Sequence, residues 1–199
     1  MSSTETPKLG LRERKKIKTR ETIQWHAIRL FKEQGYNETT VEQIAEAAEV
    51  SPSTFFRYFP TKESIILEDD YDPLLIEIFQ KQPPELSPIQ ALRSAVKSGF
   101  AKIPAEGRKA IQERMQLSMT IPEVRAASLN QLMNTLQMIA GLVSGRVGRK
   151  PDDPFVMNFA GAVIGAFMSA QAFAANHPEA DYIELFDQAL AHLEAGLPL

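Results

Sequence analysis

The sequence predicts an all-α protein, with an N-terminal three-helix head that contains a helix-turn-helix and a larger C-terminal helical bundle. Apolar residues recur at helical spacing along most of the 199 residues. Prolines, among them Pro60, Pro104, Pro122 and Pro151, divide the chain into segments of helical length. The sequence nowhere alternates apolar and polar residues as a half-buried strand would.

Composition excludes several classes of protein. The sequence contains no cysteine, which rules out a disulfide scaffold, a thiolate zinc site and a cysteine nucleophile. His26, His177 and His192 lie far apart and have no partner at ligand spacing, so we expect no metal site and no cofactor. Residues 1–10 are polar and lack the apolar core of a secretory signal, which favours a cytoplasmic protein.

Charge is distributed unevenly along the chain. The net charge is −3, but residues 1–66 hold 11 Lys and Arg against 9 Asp and Glu, a net +2. Residues 67–199 hold 11 against 16, a net −5. A basic end is attracted to phosphate and an acidic end is repelled by it, so this polarity favours contact with nucleic acid through the N-terminal third.

A flexible basic tail over residues 1–11 is expected to lead into a first helix that ends near Gly35. Ala27 and Phe31 fall on one face at helical spacing, and Gly35 stands where a helix C-cap belongs. Trp25 lies off this apolar stripe, so we predict that its side chain is partly exposed.

Two short helices joined by a tight turn come next. Gln43 follows Thr40 by three residues, which is the spacing of a capping box at a helix N-terminus. Ser51 places a capping hydroxyl before Pro52, a residue favoured at the first helical position, and Pro60 ends the helix. Short helices in this arrangement form a helix-turn-helix, whose second helix enters the major groove of DNA.

The second helix carries side chains suited to DNA. Phe55 has the spacing to pack inward, which leaves its neighbours to face solvent. Arg57 can pair with guanine or phosphate, hydroxyls can donate to phosphate or base edges, and Phe56 can lie against a thymine methyl. The helix starts at Thr40 and Thr61 can hold phosphate, aided by a neighbouring lysine. The predicted DNA-contact residues are Arg14, Lys16, Thr40, Pro52, Ser53, Thr54, Phe56, Arg57, Tyr58, Thr61 and Lys62.

The N-terminal basic run has two interpretations. In most proteins such a run is a solvated face or tail, and Arg57 and Tyr58 could likewise only solvate and cap a short helix. Beside a helix-turn-helix, the run can follow the DNA backbone or enter the minor groove and add salt-dependent affinity. It consists of Lys8, Arg12, Arg14, Lys15, Lys16, Lys18 and Arg20.

The N-terminal third also carries an ordered motif. Its parts are Leu30-Phe31, Gly35-Tyr36, Thr39-Thr40-Val41, Ile44-Ala45, Ala48, Val50-Ser51, Thr54 to Phe59 and Lys62-Glu63. These residues resemble the signature of the TetR family of bacterial regulators over about residues 12–67. The sequence departs from that signature at Glu49, where the family usually has glycine, and at Phe56, which replaces a common tyrosine. The resemblance implies a dimer formed by the last two helices and a ligand cavity in the C-terminal domain.

Residues 67–199 are expected to form the ligand-binding and dimerisation domain. Methionine is flexible and suits a pocket for varied apolar ligands, although ordinary core packing explains the same residues equally well. The predicted ligand-binding residues are Phe100, Met115, Met119, Leu132, Met133 and Leu136.

The uncharged segment 154–178 also has two interpretations. Its length and apolar character, with Gly161 and Gly165 four residues apart, are compatible with a membrane span. Asn158 and Ser169 interrupt it, and its immediate flanks are acidic rather than basic, so we favour a buried helix at a dimer interface. The predicted interface residues are Phe159, Ala162, Val163, Ala166, Phe167, Ala170, Leu185, Phe186 and Leu193.

The sequence therefore predicts a homodimeric transcriptional regulator, not an enzyme, whose DNA-binding domain spans residues 12–66. We expect a repressor that leaves a palindromic double-stranded DNA operator when a small apolar or amphipathic effector binds, with no membrane partner. Two alternatives stay open. A helical enzyme or carrier would use the C-terminal cavity, although no nucleophile–base pair is visible. An architectural DNA-binding protein would show little sequence preference and no response to small molecules.

Overall fold

The chain folds into helices, and the computed structural model describes residues 10–68, 72–177 and 179–199, apart from the side chain of Glu13. The N-terminal helices are α1 (Leu11–Gln34), α2 (Val41–Ala47), α3 (Pro52–Tyr58) and α4 (Ser64–Leu67). The later helices are α5 (Asp72–Gln80), α6 (Pro88–Ala101), α7 (Ala105–Thr120), α8 (Pro122–Val147), α9 (Pro154–Asn176) and α10 (Tyr182–Glu194). The described residues contain no strand, so the predicted all-α class is confirmed.

Contacts along the chain divide it into two compact units, Met1–Ile66 and Leu67–Leu199. The N-terminal unit has its own core, to which each of its helices contributes. Ile23 of α1, Ile44 of α2, Phe55 of α3 and Ile65 of α4 are all fully buried. Burying one such side chain stabilises a fold by about 1.5–3 kcal/mol, so these residues fix how the short helices pack.

The C-terminal unit has a second apolar core, which draws on α5, α6, α8, α9 and α10. Ion pairs also join α6 to α10 (called here the α6–α10 ion cluster). The Arg93 guanidinium donates to both carboxylate oxygens of Asp187, at 2.9 and 3.2 Å, and to Glu194 at 2.7 Å. The Lys97 ammonium lies 2.8 Å from Asp187. The hydrogen bond from Arg93 lowers the pKa of Asp187 despite the burial of that carboxylate, which opposes the shift.

Near its C-terminus, α8 is tied to the connection between α5 and α6. Arg146 donates to the backbone carbonyls of Leu86, at 2.9 and 3.1 Å, and to that of Gln82 at 3.4 Å. It also donates to the carbonyl of Pro83. One arginine thereby hydrogen-bonds three backbone carbonyls of the connection between α5 and α6.

The apolar helix α9 is long enough to cross a membrane by length and composition, with a mean hydropathy of 1.4 over 18 residues. Val156, Ala160 and Val163 on one face are buried in the core cluster, and α9 packs against both α8 and α10. A core helix of a bundle meets the same criterion, and we interpret α9 in that way. Residues away from this buried face are uncovered in the single chain, among them Phe155, which is 72% exposed.

Candidate nucleic-acid interface and effector pocket

Helix α3 turns one face into the core and leaves the other open. Phe55 is fully buried, whereas Phe56 is 52% exposed and Arg57 is exposed. Thr54 and Tyr58 are half-buried at the border of this face. We call the residues Pro52, Ser53, Phe56 and Arg57 the open face of α3. Phe55 points inward and the open face points outward, as predicted, while Thr54 and Tyr58 are less exposed than predicted and DNA contact stays a prediction.

A hydroxyl cluster organises the first turn of α3. The Ser51 Oγ accepts a hydrogen bond from the Thr54 backbone N–H at 3.1 Å and caps the helix as predicted. The same Ser51 Oγ donates to the Thr54 Oγ1 at 2.9 Å and lies 2.9 Å from the Ser53 Oγ. Because the Thr54 oxygen accepts here, its own proton is left to donate outward. The cluster thus orders hydroxyls at the end of the helix where base contact was predicted.

The C-terminal end of α3 is held by an arginine from α1. Arg20 donates from Nη1 to the Tyr58 carbonyl at 3.0 Å, and its guanidinium lies 4.4 Å from the centroid of the Phe59 ring. A cation at this position also offsets the negative end of the helix dipole. Arg20 belongs to the basic run considered for DNA contact, and that contact stays a prediction for this residue.

Other members of the basic run keep their exposure. Arg14 and Lys16, the two predicted for DNA contact, are exposed on the first turns of α1. Residues 1–9 of the predicted tail, including Lys8, lie outside the described residues. Leu11, placed in the tail by the sequence, already belongs to α1. Trp25 is 63% exposed, as predicted.

The two predicted helix starts are both capped and accessible. Thr40 Oγ1 accepts from the Gln43 N–H at 3.2 Å, and Gln43 Oε1 accepts from the Thr40 N–H at 2.9 Å, which confirms the capping box. Thr61 Oγ1 accepts from the Ser64 N–H at 3.2 Å. Both threonines are exposed. The Thr40 hydroxyl proton remains able to reach a phosphate, since its oxygen accepts in this contact, whereas the Thr61 hydroxyl also hydrogen-bonds to the Glu63 carboxylate.

The neighbouring lysine, Lys62, is half-buried, and its ammonium bonds to the connection between α1 and α2. Lys62 Nζ donates to the backbone carbonyls of Tyr36 at 2.8 Å and Thr39 at 3.0 Å. The same Nζ lies 4.0 Å from the centroid of the Tyr36 ring. Both carbonyls belong to the connection between α1 and α2, which the sequence offered no reason to bring beside Lys62. These bonds use two of the three ammonium donors, and phosphate contact by Lys62 stays a prediction.

The turn between α2 and α3 is built around a strained residue. Glu49 has a φ of 54°, in the left-handed region that favours glycine. The Glu49 N–H donates to the Glu46 carbonyl and the Val50 N–H donates to the Ala45 carbonyl, which together form a Schellman motif. Glu49 therefore replaces the usual glycine of the family signature while keeping a glycine-type backbone conformation.

A pocket of about 390 Å³ opens in the C-terminal unit among α6, α7 and the connection from α9 to α10. Its apolar lining includes Phe100, Ile111 and Met115, and the buried Tyr182 adds an aromatic ring. Four charged side chains share the lining, Arg108 and Lys109 from α7 and Glu179 and Asp181 from the later connection. Ala105, Gln112, Ala180 and Ile183 complete it. This mixture suits an amphipathic molecule.

Two of the six predicted ligand-binding residues line this pocket, and the other four do not. Phe100 and Met115 line the pocket, as expected. Met119, Leu132, Met133 and Leu136 do not belong to its lining, and Leu132 and Leu136 pack against the core cluster. Effector contact by these four residues stays a prediction. The charged lining residues carry no sequence signal, because α7 and the α9–α10 connection are brought together only by folding.

The predicted dimer-interface residues also divide into two groups. Val163, Ala170 and Phe186 are buried inside one chain, at 1, 4 and 9% exposure, and have almost no surface to lose to a partner. We withdraw these three from the interface. The remaining six are half-buried and keep some accessible surface; they are Phe159, Ala162, Ala166, Phe167, Leu185 and Leu193. Phe155 and Phe173, which the sequence analysis did not single out, are exposed on α9.

Two protein-family models match this chain. A family model described as bacterial regulatory proteins, tetR family, matches residues 26–68, which include the open face of α3. A second, described as the MftR C-terminal domain, matches residues 86–198, more than half of the chain. The chain belongs to the TetR family. It is therefore a DNA-binding transcriptional regulator.

Relatives of this TetR-family regulator include two transcriptional regulators. TcmR of Streptomyces glaucescens is 32% identical over 164 residues, which cover 79% of this chain and 73% of TcmR. MftR of Mycobacterium tuberculosis is 27% identical over 173 residues, which cover 86% of this chain and 87% of MftR. Proteins of this family generally are not enzymes.

A solved structure extends the comparison to a ligand-bound relative. FadR of Thermus thermophilus, a TetR-family transcriptional repressor solved in complex with lauroyl-CoA, is 25% identical to this TetR-family chain, with a TM-score of 0.57. The match covers 90% of this chain and 95% of that chain. TetR-family regulators bind DNA and small-molecule effectors.

Proposed function

We propose that this regulator is a cytoplasmic repressor that binds a palindromic operator as a homodimer and leaves it when an amphipathic small molecule fills the C-terminal pocket. The open face of α3 is the observation that carries the proposal. It presents Phe56 and Arg57 side by side on a capped helix whose other face is anchored by the buried Phe55. Arginine supplies bidentate contact to guanine, and the phenylalanine ring fits a thymine methyl or the sugar backbone.

The proposed DNA contacts are the open face of α3 together with residues around it. Thr54 and Tyr58 border that face, and Thr40 and Thr61 are exposed at the starts of neighbouring helices. Arg14 and Lys16 would supply phosphate contacts from α1. Arg57 would read a base while the hydroxyls fix the register of α3 in the groove.

The proposed dimer uses the uncovered face of α9 together with α10. Gly161 and Gly165 lie on α9 where an added Cβ would meet no atom within 4 Å, so a second helix has room to approach closely. Phe155 and Phe173 lie toward the two ends of the same helix and are 72 and 49% exposed. Large exposed aromatic side chains along one helix indicate a surface that a partner covers.

The proposed effector combines an apolar part with a charged or polar head. Phe100, Ile111 and Met115 offer apolar surface within the same pocket that holds Arg108 and Lys109. The relative from Thermus thermophilus binds lauroyl-CoA, a molecule with this combination of parts. Effector binding would favour a conformer in which the two copies of α3 are no longer about 34–36 Å apart, the spacing of successive major grooves.

The operator is tested by selecting bound sequences from a pool of random DNA with the full-length protein. We expect convergence on an inverted repeat, bound at least about a thousandfold more tightly than scrambled DNA of equal length. Lauroyl-CoA is then titrated onto the complex, with a coenzyme A control that lacks the acyl chain. Convergence without release by lauroyl-CoA would retain the regulator and reject this effector class. Binding without sequence preference would favour an architectural role.

The dimer is tested with Gly165→Leu, which fills the open space on α9. We expect the variant to sediment as a monomer or to dissociate at higher concentration than wild type. Gly141→Leu on α8 is the matched control, because an added Cβ at Gly141 also meets no atom within 4 Å. Equal dimerisation of both variants would reject the α9 interface.

A further inference from the structure

The pocket of the C-terminal unit has an apolar end and a charged end. Ile111 is buried, and Phe100 and Met115 are half-buried and pack against the core cluster. The four charged residues of the lining are all exposed. The apolar end of the pocket therefore lies toward the core, and the charged end lies toward solvent, where a charged group keeps its hydration most easily.

Helix α7 carries both ends of the pocket along one face. Arg108, Ile111 and Met115 follow one another at spacings of three and four residues, and each lines the pocket. Residues at these spacings lie on the same face of an α-helix. From Arg108 to Met115 the helix advances by about 10 Å, at 1.5 Å per residue. This face of α7 thus presents a cation at its N-terminal end and apolar side chains for about 10 Å beyond it.

The cation at the charged end is held in a fixed place. Arg108 donates from Nη1 to the backbone carbonyl of Ile103 at 2.9 Å, and Ile103 is itself buried. A guanidinium has five N–H donors, so this bond anchors the group and leaves four donors for a ligand. Their planar arrangement matches the oxygens of a carboxylate or a phosphate. Lys109 follows directly and adds a second cation to the lining.

One of the two carboxylates at the charged end is already engaged. Asp181 Oδ1 accepts from the N–H groups of Ile183 at 2.8 Å and Glu184 at 3.3 Å, at the start of α10. The positive end of that helix therefore offsets the charge of Asp181. Two cations then share the charged end with one uncapped and exposed carboxylate, that of Glu179. The balance of charge at this end favours an anion.

We propose that the effector is an anionic single-chain amphiphile, whose carboxylate or phosphate binds Arg108 and Lys109 and whose chain lies along α7 toward Met115. The inference rests on the proposed function. It adds the sign of the head group, the residues that select it, and the direction and length of the chain. A bound anion receives charge-assisted hydrogen bonds from Arg108, which a cationic or uncharged head group of the same size cannot accept as strongly.

The head group is tested by calorimetric titration of the full-length protein without DNA. Decanoate and decyl phosphate are compared with decyltrimethylammonium and the uncharged decyl glucoside, all below their micelle concentrations. We expect both anions to bind at least about tenfold more tightly than the other two ligands. The tighter of the two anions identifies the head group as carboxylate or phosphate.

Substitutions at the charged end test which residues select the anion. Arg108→Gln should weaken anion binding by about ten- to a hundredfold, because charge-assisted hydrogen bonds are lost. Glu179→Gln should strengthen it, because a like charge is removed. Arg125→Gln is the matched control, since Arg125 is exposed on α8 and lies outside the pocket lining. This control should leave anion binding unchanged.

The chain is tested with carboxylates from hexanoate to tetradecanoate. Each added carbon should strengthen binding about fourfold until the chain spans about 10 Å of α7, and by less beyond that length. Met115→Phe adds volume at the apolar end and should weaken the binding of decanoate more than that of hexanoate. If Met115→Phe does not fold, the length series on the wild type decides.

Four results would overturn the proposal. Absence of binding by both anions would reject the site, and equal affinity for anionic and cationic chains would reject its charge preference. Equal losses in Arg108→Gln and Arg125→Gln would reject selection by Arg108. A constant gain per carbon up to tetradecanoate would reject the place of the chain along α7. Because these titrations contain no DNA, their failure leaves operator recognition untouched, and a failed operator selection leaves the anion site testable.

Discussion

The two units of the molecule hold their helices by different means. In the N-terminal unit, the starts of α2, α3 and α4 are fixed by Thr40, Ser51 and Thr61, each bonded to a residue three positions later. In the C-terminal unit, Arg93 of α6 bonds Asp187 of α10, 94 residues away. Helices held by local caps can be recognised from sequence, whereas a long-range ion cluster shows only in the folded chain.

The largest expected effect comes from removing the centre of the α6–α10 ion cluster, the long-range contact that distinguishes the C-terminal unit. Arg93→Met leaves the Asp187 carboxylate, 5% exposed, with Lys97 as its remaining cation. We expect the free energy of unfolding to fall by about 2–3 kcal/mol, discounted because the Arg93 side chain is 29% exposed. Urea denaturation measures it. Lys97→Met, at a side chain 55% exposed, is the control and should cost less than about 1 kcal/mol.

The same cluster predicts a pH dependence. Hydrogen bonding from Arg93 lowers the pKa of Asp187 in the folded state, so ionised Asp187 stabilises the protein above the ordinary carboxyl value. That contribution is lost as the pH falls below about 4 and passes through the lowered pKa. The stability difference between wild type and Asp187→Asn should therefore shrink in acid. A constant difference between pH 7 and pH 3 would contradict the assignment.

The two units should also differ in how far an exposed arginine contributes to DNA affinity. Arg57→Ala removes the cation of the open face of α3 and should weaken operator binding by about 1–3 kcal/mol. Arg125→Ala, at an exposed arginine of α8 in the C-terminal unit, is the matched control and should leave DNA affinity unchanged. Anisotropy titration at one salt concentration distinguishes them. Equal losses would mean that the basic charge acts without regard to position.

The smallest expected effect concerns the turn between α2 and α3. Glu49→Gly relieves a φ of 54° and should stabilise the protein by about 0.5–1 kcal/mol, after the entropic cost of glycine. Thermal unfolding measures this gain. Glu49→Ala is the control, because alanine keeps the Cβ that causes the strain. An equal gain from alanine would show that the glutamate charge, and not the backbone, is responsible.

The N-terminal unit also contains two cations whose bonding partners the sequence did not predict. Lys62 and Arg20 were both considered for DNA contact because they are basic and lie beside a helix-turn-helix. The structure directs Lys62 to the carbonyls of Tyr36 and Thr39, and Arg20 to that of Tyr58. Nothing in the spacing of these residues indicates such partners, since 23 to 38 positions separate them. Charge alone predicts affinity for phosphate but not which cations stay available.

By itself, the sequence determined the helical class, the capping of α2 and α3, the open face of α3 and the family. Each depends on residues within a few positions of one another or on an ordered motif, and local hydrogen bonding with apolar periodicity is sufficient to specify them. Only the tertiary structure decided the lining of the pocket, the burial of Val163 and Asp187 and the inward turn of Lys62. These depend on which distant segments meet, and that is settled by packing of the whole unit.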